Sequence, residues 1–483
     1  MSLSSTMNSA LSGLTAARMA ATTISDNIAN ALTPGYTLKS LELVSHRDQV
    51  PGVQISGVNR HADPAVVGAR RAAEAEYAFS QTSLKFAESV AGVLGDPTDQ
   101  NSLSSFVSDL EASLIEATSL PHSKQRLDTV ALRLKDLAGK LHEGTDTIQN
   151  ARQDADRKIA KHVTDLNSWL GALEDLNARI ASAKPQGREL AALQDQRALL
   201  IDDINSTIPV SIISRDRNQV ALVAEGGVIL LDGPAAQLGF EPTPTIQAHM
   251  TYEDGHLGGL IVNGRVLDAG SKAVPFEGGT LAGYFEIRDS QGVALQAGFD
   301  AVAADLVERF QDPQLDPTLG PGQPGVLTDA GAAYNPTNLV GLAGRLSLNA
   351  ALDPNTGGET WRLRAGIAAP DPGAPGDTSM LNRILSSLST QRALASGPSS
   401  GVTGSVMELV SQSLSQLEGE RDRLERSTSF AAGLLDETKQ AELSLGVDTD
   451  EQLQSLLLVE QAYAANAQVV RTVDELMNIL LEI

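Results

Sequence analysis

At 483 residues the chain is too long for one ordinary domain, and its 42 % hydrophobic content suffices for packed cores, which excludes a fully disordered protein. With 36 Lys and Arg against 60 Asp and Glu, the formal charge of −24 argues against sequence-independent nucleic-acid binding and against anionic membrane surfaces. Cysteine is absent, which removes disulfides, thiolate metal sites and a Cys nucleophile, and no stretch approaches the ~20 apolar residues that would span a bilayer.

Residues 1–32 place Leu3, Met7, Ala10, Leu14, Ala17, Ala21, Ile24 and Ile28 at alternating steps of four and three. That is a heptad seam, which keeps one stripe facing a partner helix. The helix is expected to end near Leu32, because Pro34 biases Thr33 away from the α region and Pro34-Gly35 suits the centre of a type II turn. Residues 1–38 carry only Arg18 and Asp26 as charges, so this helix gains most from burial on several sides. Its opening residues have neither a basic start nor an apolar h-region, and no cleavable signal peptide is expected.

Apolar periodicity then predicts helices over 66–94, along Phe106–Ile115, along Leu127–Leu141, and from about Ile148 to Ala183. Lys184-Pro185-Gln186-Gly187 should break the last of these, with a shorter partner running along Leu190–Ile204. Val210–Ser214, Gln219–Val223 and Val228–Leu231 read as a meander of short strands, and strands are expected to continue through 246–287. Helices return near 292–311, 378–396 and 403–440, with Pro/Gly/Asp-rich connectors at 311–326 and 368–377. Thr449-Asp450-Glu451-Gln452 reads as a capping box. A second seam follows along Leu456, Val459, Tyr463, Asn466, Val470, Val473, Met477 and Leu480, with Asn466 its one polar member, suited to fixing register.

Helices flanking a strand-rich middle predict an α+β multidomain chain. Residues 1–40 plus 448–483 would form a terminal α-helical coiled coil, 41–205 plus 385–447 a long-helix bundle, and 206–384 an inserted β-rich outer domain. Two arrangements of the ends stay open: an antiparallel pair within one globule, or helices that order only in a polymer.

No catalytic, cofactor-binding or metal-ligating set emerges. His142-Glu143 lacks the second His of a zincin motif, and Gly320-Pro321-Gly322-Gln323-Pro324-Gly325 fits GxGxxG without the flanking strand and helix a phosphate cradle needs. Asp154, Asp156, Asp165, Glu174 and Asp175, spaced with Arg152, Arg157 and Arg179, read as a solvated helix face. Asn205-Ser206-Thr207 fits a glycosylation sequon, which decides nothing alone.

Ala10-Leu11-Ser12-Gly13-Leu14-Thr15-Ala16, then Ile24-Ser25-Asp26-Asn27-Ile28-Ala29-Asn30 and Thr33-Pro34-Gly35-Tyr36, resemble the signature of the flagellar axial proteins, the rod, hook and hook-associated family. That family usually has Asn where this chain has Asp26. Glu460-Gln461-Ala462-Tyr463-Ala464-Ala465-Asn466-Ala467, with Val470, Thr472 and Asp474-Glu475-Leu476, resembles the same family's terminal helix. Leu193-Gln194-Asp195-Gln196-Arg197, Gly278–Gly283 with Arg288-Asp289, and Ser444–Asp448 are similar to its hook-associated members, whereas 300–400 matches their pattern poorly.

The resemblance implies a structural component of the bacterial flagellum, not an enzyme: an adaptor at the hook–filament junction whose paired terminal helices line a tubular axis. It further implies type III export without signal cleavage. The implied partners are further copies of the chain, hook protein, the next hook-associated protein towards the filament, an export chaperone and the export apparatus. The motif residues carried over are Asn27, Ile28, Ala29, Asn30, Gly35 and Tyr36. The alternatives are another axial protein, such as hook protein or flagellin, and a secreted enzyme or adhesin with an ordinary terminal bundle.

Overall fold

The computed structural model describes residues 3–45, 52–95, 99–183, 188–267, 270, 272–394 and 401–481. In chain order the helices are α1 (Leu3–Ala29), α2 (Pro64–Leu94), α3 (Leu103–Ser119), α4 (Lys124–Ser182), α5 (Arg188–Thr207), α6 (Gly279–Glu286), α7 (Gly292–Phe310), the single turn α8 (Arg362–Ala365), α9 (Ser379–Ser389), α10 (Val406–Leu443) and α11 (Thr449–Leu481). A hairpin of β1 (Leu38–Ser45) and β2 (Val53–His61) follows α1, and β3 (Val210–Ser214), β4 (Val220–Ala224) and β5 (Ile229–Leu231) form an antiparallel sheet in that order. Short pairings complete the strands: β6 (Leu238–Gly239), β7 (Ile261–Val262) and β8 (Arg265–Val266) in one sheet, then β9 (Leu327–Asp329) with β10 (Leu346–Leu348), and β11 (Arg392–Ala393) with β12 (Thr403–Gly404). The architecture is multidomain α+β, and none of the described helices is long and apolar enough to cross a membrane.

Local chemistry sets the helix ends. Asp63 accepts from the Ala65 N–H with Pro64 in the first turn, Ser102 and Ser123 cap α3 and α4, and Ser405 with Glu408 forms a capping box on α10. The helices expected along Leu127–Leu141 and Ile148–Ala183 are one element of 59 residues. Gly144, in the interval between the two expected helices, is a close-packing position: a Cβ there would meet the Phe299 ring at 3.4 Å. The expected break at Lys184–Gly187 lies outside the described residues. Strand structure expected through 246–287 gives way to helix at Gly279–Glu286, because Leu281 and Phe285, one turn apart, both bury.

The helix α4 runs through two apolar clusters. Leu134, Leu137, Leu141 and Ile148 pack in the first with residues of α2, α3, α7, α9 and α10 and with Leu327, Leu346 and Leu363. Ile159, Val163, Leu166, Leu170 and Leu173 pack in the second against α5, α6 and the β3–β5 sheet. Neither cluster follows the boundaries expected at 205, 206, 384 and 385, since residues 287–388 share a core with α3 and α4. The reason is that short strands such as β9 and β10 cannot bury an apolar face alone and use the long helix instead.

Between the clusters the expected solvated face of α4 is partly a buried polar layer. Asp156 and Arg152 are fully buried, as is Arg288 in the π-helical turn at Ile287–Gln291. Arg288 donates to Asp156 at 2.8 Å and, through Nε and Nη2, to Asp289 at 2.7 and 2.9 Å. Burial disfavours the Arg288 charge, but Asp289 and Asp156 outweigh it and hold the pKa above the ordinary arginine value. Burial brings Arg152 down to about 10. Glu174 departs from that expectation too, accepting from the Ala235 N–H, whereas Asp154 and Arg157 pair on the exposed surface as expected. His142 bonds the Leu346 carbonyl oxygen, and Asn205 is buried, donating to the Arg71 carbonyl, which removes it as a glycan acceptor.

Candidate assembly site: the paired terminal helices

The two ends of the chain lie side by side. A Cβ on Gly13 would come within 2.8 Å of the Asn466 side chain, and Asn27 meets Gln452, so α1 and α11 run antiparallel in one register. On α1 the seam residues Ala10, Ala17 and Ile24 are buried, while Leu3, Met7, Leu14, Ala21 and Ile28 are half-buried. On α11 Val473 is buried, and Leu456, Val459, Asn466 and Val470 are half-buried. Tyr463, Met477 and Leu480 are exposed. In this register Met477 and Leu480 lie at or beyond the start of α1, and Tyr463 borders a groove of about 570 Å³ beside the small Ala17 and Ala21. Asn466 bonds its own helix, donating to the Ala462 carbonyl at 2.9 Å.

A polar node closes the other end of the pair. Asn27, 0 % exposed, uses its whole amide: Nδ2 donates to the Lys39 carbonyl at 2.8 Å and to Gln452 Oε1 at 2.9 Å. Its Oδ1 accepts from the Tyr36 hydroxyl at 2.9 Å and from the Lys39 N–H at 3.1 Å. One side chain therefore joins α1, the first strand and α11. Gln452 does this instead of closing the expected capping box, and Asp448 caps α11 by accepting from the Asp450 and Glu451 N–H groups.

The turn that brings Tyr36 back is the one expected of Pro34-Gly35. The Tyr36 N–H bonds the Thr33 carbonyl at 3.1 Å, and Gly35 sits at φ +73°. A Cβ on Gly35 would fall 2.4 Å from Leu199 of α5, so glycine is required twice over. Asn30 donates to the Asp26 carbonyl and accepts from Thr33, closing the end of α1; Ala29 is exposed on the outer side and Leu32 is 98 % exposed.

Asp195 ties this unit to the body of the molecule. Its carboxylate takes the Thr37 hydroxyl at 2.7 Å, Arg60 Nε at 2.7 Å and Lys39 Nζ at 2.8 Å, while Lys39 also lies 4.0 Å over the Tyr36 ring. Arg70 of α2 reaches Asp202 of α5, Glu442 of α10 and its own Glu74. Burial opposes the Arg70 charge, yet Asp202, Glu442 and Glu74 together keep its pKa raised. In the sequence Asp195 stands out only within the run Leu193–Arg197, and neither the β1–β2 hairpin nor the Asn27–Gln452 bond is among the expected features. The alternation of Leu41 and Leu43, and of Val53 and Ile55, was the available signal for the hairpin.

Among the described residues no group of three or more His, Asp or Glu could hold a metal. The family described as flagellar hook-associated protein FlgK helical domain matches residues 87–320. Those described as flagella basal body rod protein and as flagellar basal body rod FlgEFG protein C-terminal match 7–37 and 443–483. Flagellar hook-associated protein 1 of Bacillus subtilis (strain 168) is 25 % identical over 98 % of this chain and 96 % of its own length. The chain belongs to the flagellar hook-associated proteins. The protein of that name from Salmonella typhimurium is 25 % identical over 56 % of this chain and 50 % of its own, and that of Escherichia coli K12 is 24 % identical over 56 % and 51 %. A solved structure, the flagellar hook junction protein FlgK from Burkholderia pseudomallei, aligns with a TM-score of 0.45 and 20 % identity over 55 % of this chain and 47 % of that one.

The hook-associated chain is thus a structural component of the bacterial flagellum with axial flagellar proteins as its partners. The two rod-protein matches fall on α1 with its turn and on α11, the elements that the Asn27 node joins.

Proposed function

We propose that this chain is the adaptor that joins hook to filament, and that it assembles through the α1–α11 pair. The observation that carries the reading is the outer side of α11, where Leu453, Leu457, Leu458, Leu476 and Ile479 stay between 44 and 67 % exposed beside the seam that faces α1. An apolar stripe of that length on a helix is an interface awaiting its partner. Copies of the same chain, packed around an axis, supply one, and hook protein on one side and the next hook-associated protein on the other extend the stack. Residues 1–40 with 448–483 form the axial unit, and the remainder forms the outer body.

Export of an unfolded chain through the type III apparatus, held by a chaperone, accords with the lack of cysteine, and places the protein outside the cell at the junction. No step of this function requires catalysis. Electron microscopy of flagella from a deletion strain tests it: the expected result is hooks without filaments and flagellin lost to the medium. Normal filaments on that strain would overturn the reading.

A further inference from the structure

We infer that the free edge of β3 is a docking site for an extended acidic segment of a partner protein, which adds to the β3–β5 sheet as a fourth strand. Within the sheet β4 and β5 are mostly buried, whereas Ser211–Ser214 of β3 are exposed, with Ile212 and Ile213 each 40 % exposed on opposite faces. Among the described residues no strand pairs with the outer side of β3. The strand contains no Lys, Pro or inward charge, the usual protections of a free edge.

Three bonds fix which backbone groups face outward. The Arg215 N–H donates to the Gln219 carbonyl at 2.8 Å, the Val220 N–H and carbonyl are both taken by Asn177, and the Ala224 N–H donates to Val228. Because Ser214 lies opposite Val220 and Val210 opposite Ala224, these are the non-bonded pairs of the antiparallel ladder. The alternation leaves Ser211 and Ile213 bonded to β4, and aims the N–H and C=O of Ile212 and Ser214 away from the sheet. Val210 also points outward, and its N–H is already taken by Asn205 Oδ1 at 3.2 Å. Two residues of open edge therefore remain, beside a groove of about 820 Å³ walled by α2 and α5.

Charge selects the occupant. Arg60, Arg71 and Arg197 line that groove. The first two are matched by Asp195 and Asp202, but Arg197 has no carboxylate among the described residues, only the Asn218 carbonyl. Burial, then the like charges of Arg60 and Arg71, bring Arg197 down to about 10. A carboxylate on the incoming strand would relieve that repulsion and form a charge-assisted bond. The groove's own carboxylates are Glu76, Glu225 and Glu277; Glu225 follows Ala224, which lies opposite Val210, and accepts from the Glu277 N–H, so the acidic side chains of the occupant belong at the Ser214 end, beside Arg197. Backbone pairing supplies the affinity and Arg197 the direction.

The test uses the full chain and a fluorescent peptide of about ten residues, alternating Val and Thr with two Asp at one end. Hydrogen exchange on the unmodified chain should show Ser211 and Ile213 amides slow and Ile212 and Ser214 fast, with the second pair slowing on addition of peptide. Anisotropy should show binding that weakens with salt, weakens about tenfold or more in Arg197→Glu, and is lost in Ile212→Pro. The Arg197→Glu variant, whose site is outside the sheet, keeps the test valid if the proline variant fails to fold. Equal exchange at all four amides, no binding, or binding indifferent to Arg197→Glu would overturn the proposal. Self-association removed by Ile212→Pro would overturn it in favour of a second copy as the occupant.

Discussion

Replacing Asn27 by Ala is the sharpest probe of the terminal pair. The change strips four hydrogen bonds at once: two to Lys39 backbone groups, one to the Tyr36 hydroxyl and one to Gln452. Each buried polar group left without a partner costs about 1–3 kcal/mol. Gln452 and Tyr36 sit on rotatable side chains and recover part of the loss, whereas the Lys39 N–H and C=O are held by the strand and cannot. Two unrelieved backbone groups give about 2–6 kcal/mol, with a centre near 4. The penalty falls on opening of the α1–α11 pair, not on the body, whose clusters contain neither helix. Native-state hydrogen exchange reads this directly, and about 3–4 kcal/mol corresponds to a loss of protection of two to three orders of magnitude in Leu3–Ala29 and Thr449–Leu481. A double-mutant cycle with Gln452→Ala should show clear non-additivity, because both variants remove the same bond. If protection in both helices changes by less than about threefold in Asn27→Ala, the node does not hold the pair and the reasoning fails.

Three further outcomes follow from the same contacts. Gly35→Ala forces a left-handed φ and drives a Cβ to within 2.4 Å of Leu199, so a loss of about 1–3 kcal/mol is expected in the same exchange measurement, and wild-type protection would contradict it. Val473→Asp buries an unpaired carboxylate at a cost of several kcal/mol and Leu14→Asp puts one at a half-buried seam position at a smaller cost, so both proteins should keep the body's circular dichroism yet fail to restore filaments in a deletion strain; normal motility would refute the assembly role. His162 has its pKa lowered by burial, with Lys161 and Lys158 acting in the same sense and Asp165 against them. Neutral imidazole is then favoured in the fold, so its contribution is complete above about pH 6.5 and is lost as pH falls through the folded pKa. His162→Phe, which keeps the stacking on Tyr284, should therefore flatten the acid side of a thermal-melt profile, and an unchanged slope would count against it.

What the sequence made legible was local. The helices at both ends, the Pro34-Gly35 turn and the β3–β5 meander depend on neighbours within a few residues, and each stands where periodicity or turn chemistry put it. What it hid was pairing across long separations. Gln452 looked like a capping residue because it stands three positions after Thr449, but Asp448 is the better cap, and the amide was free to meet Asn27. Arg152 and Asp156 looked solvated because charge alternates along that stretch, and nothing near them in sequence signals Arg288. The stretch 142–147 looked like a gap between two helices because it holds no large apolar residue, but Gly144 within it packs close to the Phe299 ring.

The same distinction shapes how the axial unit is attached. Each apolar cluster of the body interlocks several elements, and displacing any of them exposes buried hydrocarbon. The terminal pair joins that body through Asp195, which receives two long cationic side chains and one hydroxyl, beside the close approach of Gly35 to Leu199. Lys39 and Arg60 can follow a small tilt of α5 by turning about their own bonds, whereas Asn27, with every donor and acceptor engaged, cannot follow any. In the axial assembly we propose, a rigid register inside the pair and a compliant ionic joint outside it would let the paired helices hold one position on an axis while the body leans. For a protein set between a hook that bends and a stiffer filament, that is where compliance does least harm to the seam.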